Sequence, residues 1–179
     1  LDESGEDEGA APVPEGPFTF DEDAPSGGVD QDAFDVRMTS ASTATWEWDP
    51  SDDVYRRLRN GDPFPVGEDA EVGAATVVVV VAGIGQGGCC DTAGNPFTVT
   101  NLDGGGEAVV WRDGQRFEAR WEKESTGDLL TLTTPDGDPF PMAIGPSWWH
   151  LAGASAVPDA PEPATSETAS EDASATETE

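Results

Sequence analysis

The chain has 179 residues, with 37 Asp and Glu against 8 Lys and Arg, and a net charge of −29. That balance excludes a nucleic-acid partner, whose phosphate backbone calls for clustered Lys and Arg. The longest apolar run, "AATVVVVVAGIG" at 74–85, is too short to cross a bilayer as a helix.

The charge is concentrated at the ends. Residues 1–33 hold 11 acids and 152–179 hold 7, with no Lys or Arg in either, which leaves 37 − 18 = 19 acids and all 8 cations to 34–151. Both ends are rich in Pro, Ala, Ser, Thr and acid and poor in large apolar residues. They are expected to be disordered, 1–33 as an acidic Pro/Gly-rich segment or interdomain linker and 152–179 as a solvated tail. "DEDAPSGGVDQD" at 21–32 breaks the calcium-loop pattern, because Pro25 and Ser26 stand where a ligand and a glycine belong.

The first element in 34–151 is "ATWEWDPSDDVYRRLRNG", 44–61. Ala44, Trp46 and Trp48 share one strand face, "DPSDD" is a turn by composition, and the return strand alternates Tyr55, Arg57 and Arg59 against Val54, Arg56 and Leu58. The stretch reads first as a hairpin that buries its aromatics. Its other reading is a recognition surface for a sugar or an anionic polymer.

"AATVVVVVAG", 74–83, is apolar on both faces and β-branched, so it predicts a central strand covered on both sides. "GIGQGG", 83–88, lacks the Lys-Ser/Thr of a phosphate loop and reads as a flexible turn. Cys89 and Cys90 are adjacent; they are either a strained ring disulfide, two thiols, or partners of cysteines elsewhere. The single histidine, His150, is far away in sequence, so no metal site is expected.

"GEAVVWRDGQRFEARW", 106–121, has the strongest local signal. Asp113-Gly114 predicts a two-residue type I′ turn, which pairs Arg112 with Gln115 and every residue before it with one after it. Val110, Phe117, Ala108, Ala119, Gly106 and Trp121 then form an apolar face. Trp111 with Arg116 and Glu107 with Arg120 form a face expected to be solvated, with Trp111 half-exposed. "DLLTLTT" and "FPMAI" predict a further hairpin about Pro135-Asp136-Gly137, and "SWWHL" a closing strand. "GDPFPV", "GNPFTV" and "GDPFPM" at 61, 94 and 137 are three independent turns whose Phe is expected to re-enter the core. About nine short, mostly antiparallel strands and no long amphipathic helix predict one all-β domain over 34–151, a sandwich or partly open barrel.

In order, "W-E-W-D…Y-R-R…G-D-P", the valine strand, "G-G-G-E-A-V-V-W-R-D-G…W-E-K" and "D-G-D-P-F-P-M…G-P-S-W-W-H-L" resemble the C-terminal domain of the YerB-like lipoproteins, a bacterial family of unknown function. Trp46, Asp49, Tyr55, Arg57, Gly61, Gly106, Asp113, Gly114, Trp121, Gly137, Gly145 and Trp148 fall at the landmarks of the pattern. The segment 86–101 departs from it, as does Ala75-Thr76, where an asparagine is expected. The resemblance implies an extracytoplasmic protein, membrane-anchored only through a lipidated cysteine upstream of Leu1, with a larger N-terminal domain. It carries over no catalytic residue and no cofactor.

Three functions are weighed. The first is a non-catalytic interaction or accessory domain, docking an envelope protein or that N-terminal domain. The second is a wall-glycan-binding module using Trp46, Trp48, Tyr55, Arg57, Trp111 and Arg116 as a stacking and ion-pairing platform. The third, an enzyme, is weakest: no G-x-S-x-G is present and His150 abuts a terminal strand.

Overall fold

The computed structural model describes residues 16–39, 41–59, 61–66, 70–94 and 96–159. In chain order the strands are β1 (Thr19–Phe20), β2 (Val29–Asp30), β3 (Ala33–Thr39), β4 (Ser42–Asp49), β5 (Val54–Arg59), β6 (Asp62–Pro63), β7 (Pro65–Val66), β8 (Ala70–Glu71), β9 (Gly73–Ala74), β10 (Thr76–Val81), β11 (Gly83–Cys90), β12 (Pro96–Asn101), β13 (Gly104–Arg112), β14 (Gln115–Lys123), β15 (Thr131–Thr133), β16 (Pro141–Met142) and β17 (Ser147–Ala152). One short 3-10 turn, Ala154–Ala156, follows. The chain is all-β, and among the described residues there is no α-helix.

The valine run is an interior strand of the main sheet, whose order is β15-β14-β13-β10-β17, with β2 added beside β14. β10 pairs antiparallel to β13 and parallel to β17, so Val77 faces Trp111 on one side and Trp148 on the other. Alternation then sends Val77, Val79, Val109 and Trp111 to one face, and Val78, Val80, Ala108 and Val110 to the other. The Asp-Gly turn forms as expected, with Asp113 and Gly114 both at positive φ (54° and 73°), and it sets the predicted register from Arg112↔Gln115 to Gly106↔Trp121.

A second sheet, β3-β4-β5-β6 with β9 on β5, covers the first of those faces. Phe34, Val36, Trp46 and Tyr55 of this sheet pack on Val77, Val79, Val109 and Trp111. Trp111 is therefore buried and not half-exposed: its ring stacks on Phe34 at 3.9 Å between centroids. The physical reason is continuity. A neighbour covered on both sides leaves no room for a solvated face on the strand it pairs with, and Trp111 lies directly beside Val77.

The opposite face is closed by irregular chain. Phe117, Ala119, Trp121, Leu132, Phe140 and Met142 pack there, with Phe18, Ala24 and Trp149 against them. Residues 16–33, expected in a disordered segment or linker, here form part of that cover. β1 pairs with β16, β2 pairs with β14, and the Trp48 amide donates to the Asp32 carbonyl at 2.7 Å. Composition misreads this segment because two of its few apolar residues, Phe18 and Ala24, are supplied with a ready-made surface by the domain. Ala152 and Ala156 are buried as well, so the ordered chain continues beyond 151. Residues 1–15 and 160–179, the remainder of the two segments expected to be disordered, lie outside the described residues.

"GIGQGG" is not a turn. It lies in β11, which pairs with β12 as a separate two-stranded ribbon whose register shifts between Gln86 and Cys90. The three Gly-Asx-Pro motifs open on glycines, Gly61, Gly94 and Gly137, that share a positive φ of 88°, 87° and 94°. Their phenylalanines diverge: Phe140 is buried, Phe64 is half-buried, and Phe97, on the ribbon, is 52% exposed.

Candidate functional site

The residues expected to form a platform are distributed by the alternation of β4 and β5. Trp46, Trp48, Tyr55 and Arg57 all point inward from the second sheet, because Trp46 pairs with Arg57 and Trp48 with Tyr55. Trp46 and Tyr55 are fully buried and Trp48 is half-buried against Tyr55, 4.9 Å between centroids. With Trp111 also in the core, three of the four aromatics are closed to a ligand. This is a correction to the platform, whose stacking residues had to be exposed.

Their polar atoms are used internally. Gln31 holds two of them: its side-chain oxygen accepts from Trp111 Nε1 at 2.9 Å and its carbonyl accepts from the Tyr55 hydroxyl at 3.2 Å. Burial pushes the Tyr55 phenol well above its ordinary range, and the carboxylates of Asp32 and Asp113 add to this. Trp46 Nε1 donates to Nε2 of His150 at 3.1 Å. That bond requires a neutral imidazole with Nε2 unprotonated, and burial, aided by Arg57, lowers the His150 pKa to about 4.

Arg57 points inward from β5 beside Trp46. Its guanidinium sits over Phe64 at 4.1 Å and over Trp148 at 5.2 Å, and its Nε is buried without a hydrogen-bond partner among the described residues. Burial first, and neighbouring Arg59 second, weaken its hold on its proton. On the outer face of the same sheet Asp49 pairs with Arg56 at 3.3 Å, and Asp52 closes on the same guanidinium. The Ser51 amide, followed by Arg56, keeps the Asp49 carboxyl below its ordinary value.

Two of the expected site residues line clefts: Trp48, beside Asp49 and Arg56, and Arg116. Arg116 is 8% exposed; among the described residues its Nε is buried without a partner and its one ion pair is with Glu118 at 3.6 Å, a long contact to a carboxylate that faces solvent. Two clefts, of about 210 and 660 Å³, share Arg116, Glu118 and Pro135. The larger is walled by Pro25, Val29, Phe117, Pro139 and Phe140. Gly28 lies so close to Phe117 that a Cβ there would sit 2.5 Å from the ring, which fixes the wall from the N-terminal side.

Arg112 carries the strongest polar network, and sequence reasoning passed over it. It is fully buried yet donates to Asp113 at 2.6 Å and to the carbonyls of Pro141 (2.7 Å), Glu22 (3.0 Å) and Asp21 (3.2 Å). The available signal was its register: a cation at the end of β13, on the face of Val110 and Ala108, cannot point at solvent if that face is core. Asp21 and Glu22, weighed as calcium-loop residues, contribute their carbonyls to this arginine. No group of three or more His, Cys, Asp or Glu that could hold a metal occurs among the described residues. Cys89 and Cys90 end β11, and Cys90 is exposed.

A family model described as the C-terminal domain of a protein of unknown function, DUF3048, matches residues 34–149. The chain belongs to this family. Its structure is similar to the crystal structure of YerB protein from Bacillus subtilis, with a TM-score of 0.55 and 19% identity over 75% of this chain and 43% of that one. The fold is thus YerB-like, and the chain spans less than half the length of that relative. A search of the curated proteins finds no match.

Proposed function

We propose that this YerB-like domain is a non-catalytic, extracytoplasmic interaction or accessory domain of a bacterial lipoprotein. It acts by docking an envelope protein, in the first instance the portion of its longer relatives that it does not cover. The observation that carries this reading is where the reactive side chains go. His150, Tyr55 and Arg112 are all buried and committed to hydrogen bonds that hold the two sheets and the N-terminal segment together. A general base whose accepting nitrogen is occupied, and whose pKa is about 4, is poorly suited to proton transfer near neutrality. The 43% coverage of YerB adds that such domains occur beside a larger remainder. Of its platform, the wall-glycan alternative keeps the half-buried Trp48 and Arg57, and Arg116 at its clefts, within reach of a ligand.

The test is calorimetric titration of the full chain with the separately produced N-terminal portion of a longer family member. A saturable 1:1 heat is expected. No heat, together with a saturable shift of tryptophan fluorescence on adding solubilised wall glycan, overturns the reading in favour of the glycan module.

A further inference from the structure

The outer edge of β14 is interrupted. β2 pairs with Gln115 and Arg116, β15 pairs with Arg120, Trp121 and Glu122, and Phe117–Ala119 between them pair with no strand of the described residues on that side. In a two-residue hairpin the residues flanking the loop are a hydrogen-bonded pair, and such pairs alternate along the ladder. Gln115, Phe117, Ala119 and Trp121 therefore bond to β13, while Arg116, Glu118, Arg120 and Glu122 turn their main-chain groups outward. Thr131 Oγ1, which donates to the Glu122 carbonyl, lies on that outer side. Of these four outward residues, Glu118 alone has no strand of the described residues opposite it.

The gap is the 660 Å³ cleft, a volume within the usual range for ligand sites. It spans three residues, about 10 Å of extended chain. At the β2 end stands Arg116, more than nine-tenths buried, with its Nε unpartnered among the described residues and one long contact to Glu118. At the other end the turn after β15 presents Asp136 and Asp138.

We propose that this cleft binds the C-terminal end of an extended peptide. Its last residues bridge the gap in the sheet by pairing with the Glu118 main chain, and its terminal carboxylate takes the guanidinium of Arg116. Because β2 closes the gap at the arginine end, a chain that stops there fits and one that continues does not. Strand addition supplies main-chain hydrogen bonds, the arginine selects the free carboxylate, and Pro139 and Phe140 offer an apolar wall. Asp136 and Asp138 favour a basic side chain where the peptide leaves. This deepens the interaction-domain reading and rests on it.

The test uses the full chain and fluorescein-labelled Lys-Ala-Val-Ala with a free carboxylate, followed by anisotropy. A saturable rise with a Kd on the order of 100 µM is expected. Amidation of the terminus, N-methylation of the residue that faces Glu118, and Arg116→Gln should each weaken binding about tenfold. Glu118→Gln, which removes the competing carboxylate at an exposed position, should tighten it about two- to threefold. If Arg116→Gln does not fold by circular dichroism, the two peptide modifications decide. No saturable binding at millimolar peptide, or equal binding of the acid and the amide, overturns the proposal. If the N-terminal portion of a longer relative still binds in that case, only the site is wrong; if it too gives no heat, the interaction reading fails with it.

Discussion

The hairpin β13–β14 and the ribbon β11–β12 are both antiparallel pairs of adjacent strands, and they have opposite fates. The hairpin keeps one register for nine residue pairs, from Gly104↔Lys123 to Arg112↔Gln115, and buries side chains on both faces. The ribbon slips between Gln86 and Cys90 and leaves Ile84, Phe97 and Val99 about half exposed. Both strands carry apolar residues, Ile84 in β11 and Phe97 and Val99 in β12. What they lack is a cover: no other strand of the described residues pairs with them. Burial in this fold is conferred by neighbours as much as by hydropathy, and a hairpin without a neighbour is held only by its own ladder.

The comparison can be broken most sharply at its aromatics. Trp111→Ala removes a stacked, fully buried ring and should cost about 4 kcal/mol in urea unfolding, whereas Phe97→Ala on the ribbon should stay within about 0.5 kcal/mol. Equal costs would mean that the ribbon is packed as firmly as the hairpin.

The next effect is one of pH. His150 is held neutral, with a folded pKa of about 4 against an ordinary 6.5. Between these values the unfolded chain binds the proton and the folded chain does not. The stability contributed by the neutral imidazole is therefore complete above about pH 6.5 and lost as the pH falls towards 4, by about 3 kcal/mol over the window. In His150→Gln the slope of urea stability against pH should flatten through this range; an unchanged slope would assign it to the carboxylates. Ribbon variants should leave it untouched.

Glycines give a smaller, matched pair. A Cβ at Gly106 would lie 2.8 Å from Trp121 Nε1 and 3.1 Å from the Val81 carbonyl, the two atoms that share a 2.9 Å hydrogen bond. Gly106→Ala should cost about 2 kcal/mol in the hairpin. At Gly85 the nearest atom would be Val99 Cγ2 at 3.7 Å, so Gly85→Ala should lie within about 0.5 kcal/mol of the parent. Thermal denaturation of the two variants side by side measures the difference.

The contrast between the regions also marks where the sequence could be read. The register of 104–123 was legible because a two-residue Asp-Gly loop admits one pairing. The central place of 76–81 was legible because valines on both faces need cover on both faces. The burial of Trp111 followed from these two facts taken together, and was missed while the hairpin was treated alone. The place of 16–33 was not legible from composition, since it depends on a surface made by residues a hundred positions later. Of the candidate site, Arg116 was named for its exposure but matters for its burial. The cleft around it arises from where β2 and β15 stop, which no local pattern encodes.

The grip of Arg112 on the carbonyls of Asp21 and Glu22 has a mechanical consequence. Tension reaching the domain along its N-terminal segment does not peel the first strands away one bond at a time. It meets a guanidinium rooted at the end of β13, a strand inside the main sheet, and fastened at the same moment to Pro141, so β1, β13 and β16 share the load and must yield together. In a pulling experiment this anchorage point should rupture as a single event, and Arg112→Met should let residues 16–24 unzip at low force while the sheets behind them hold.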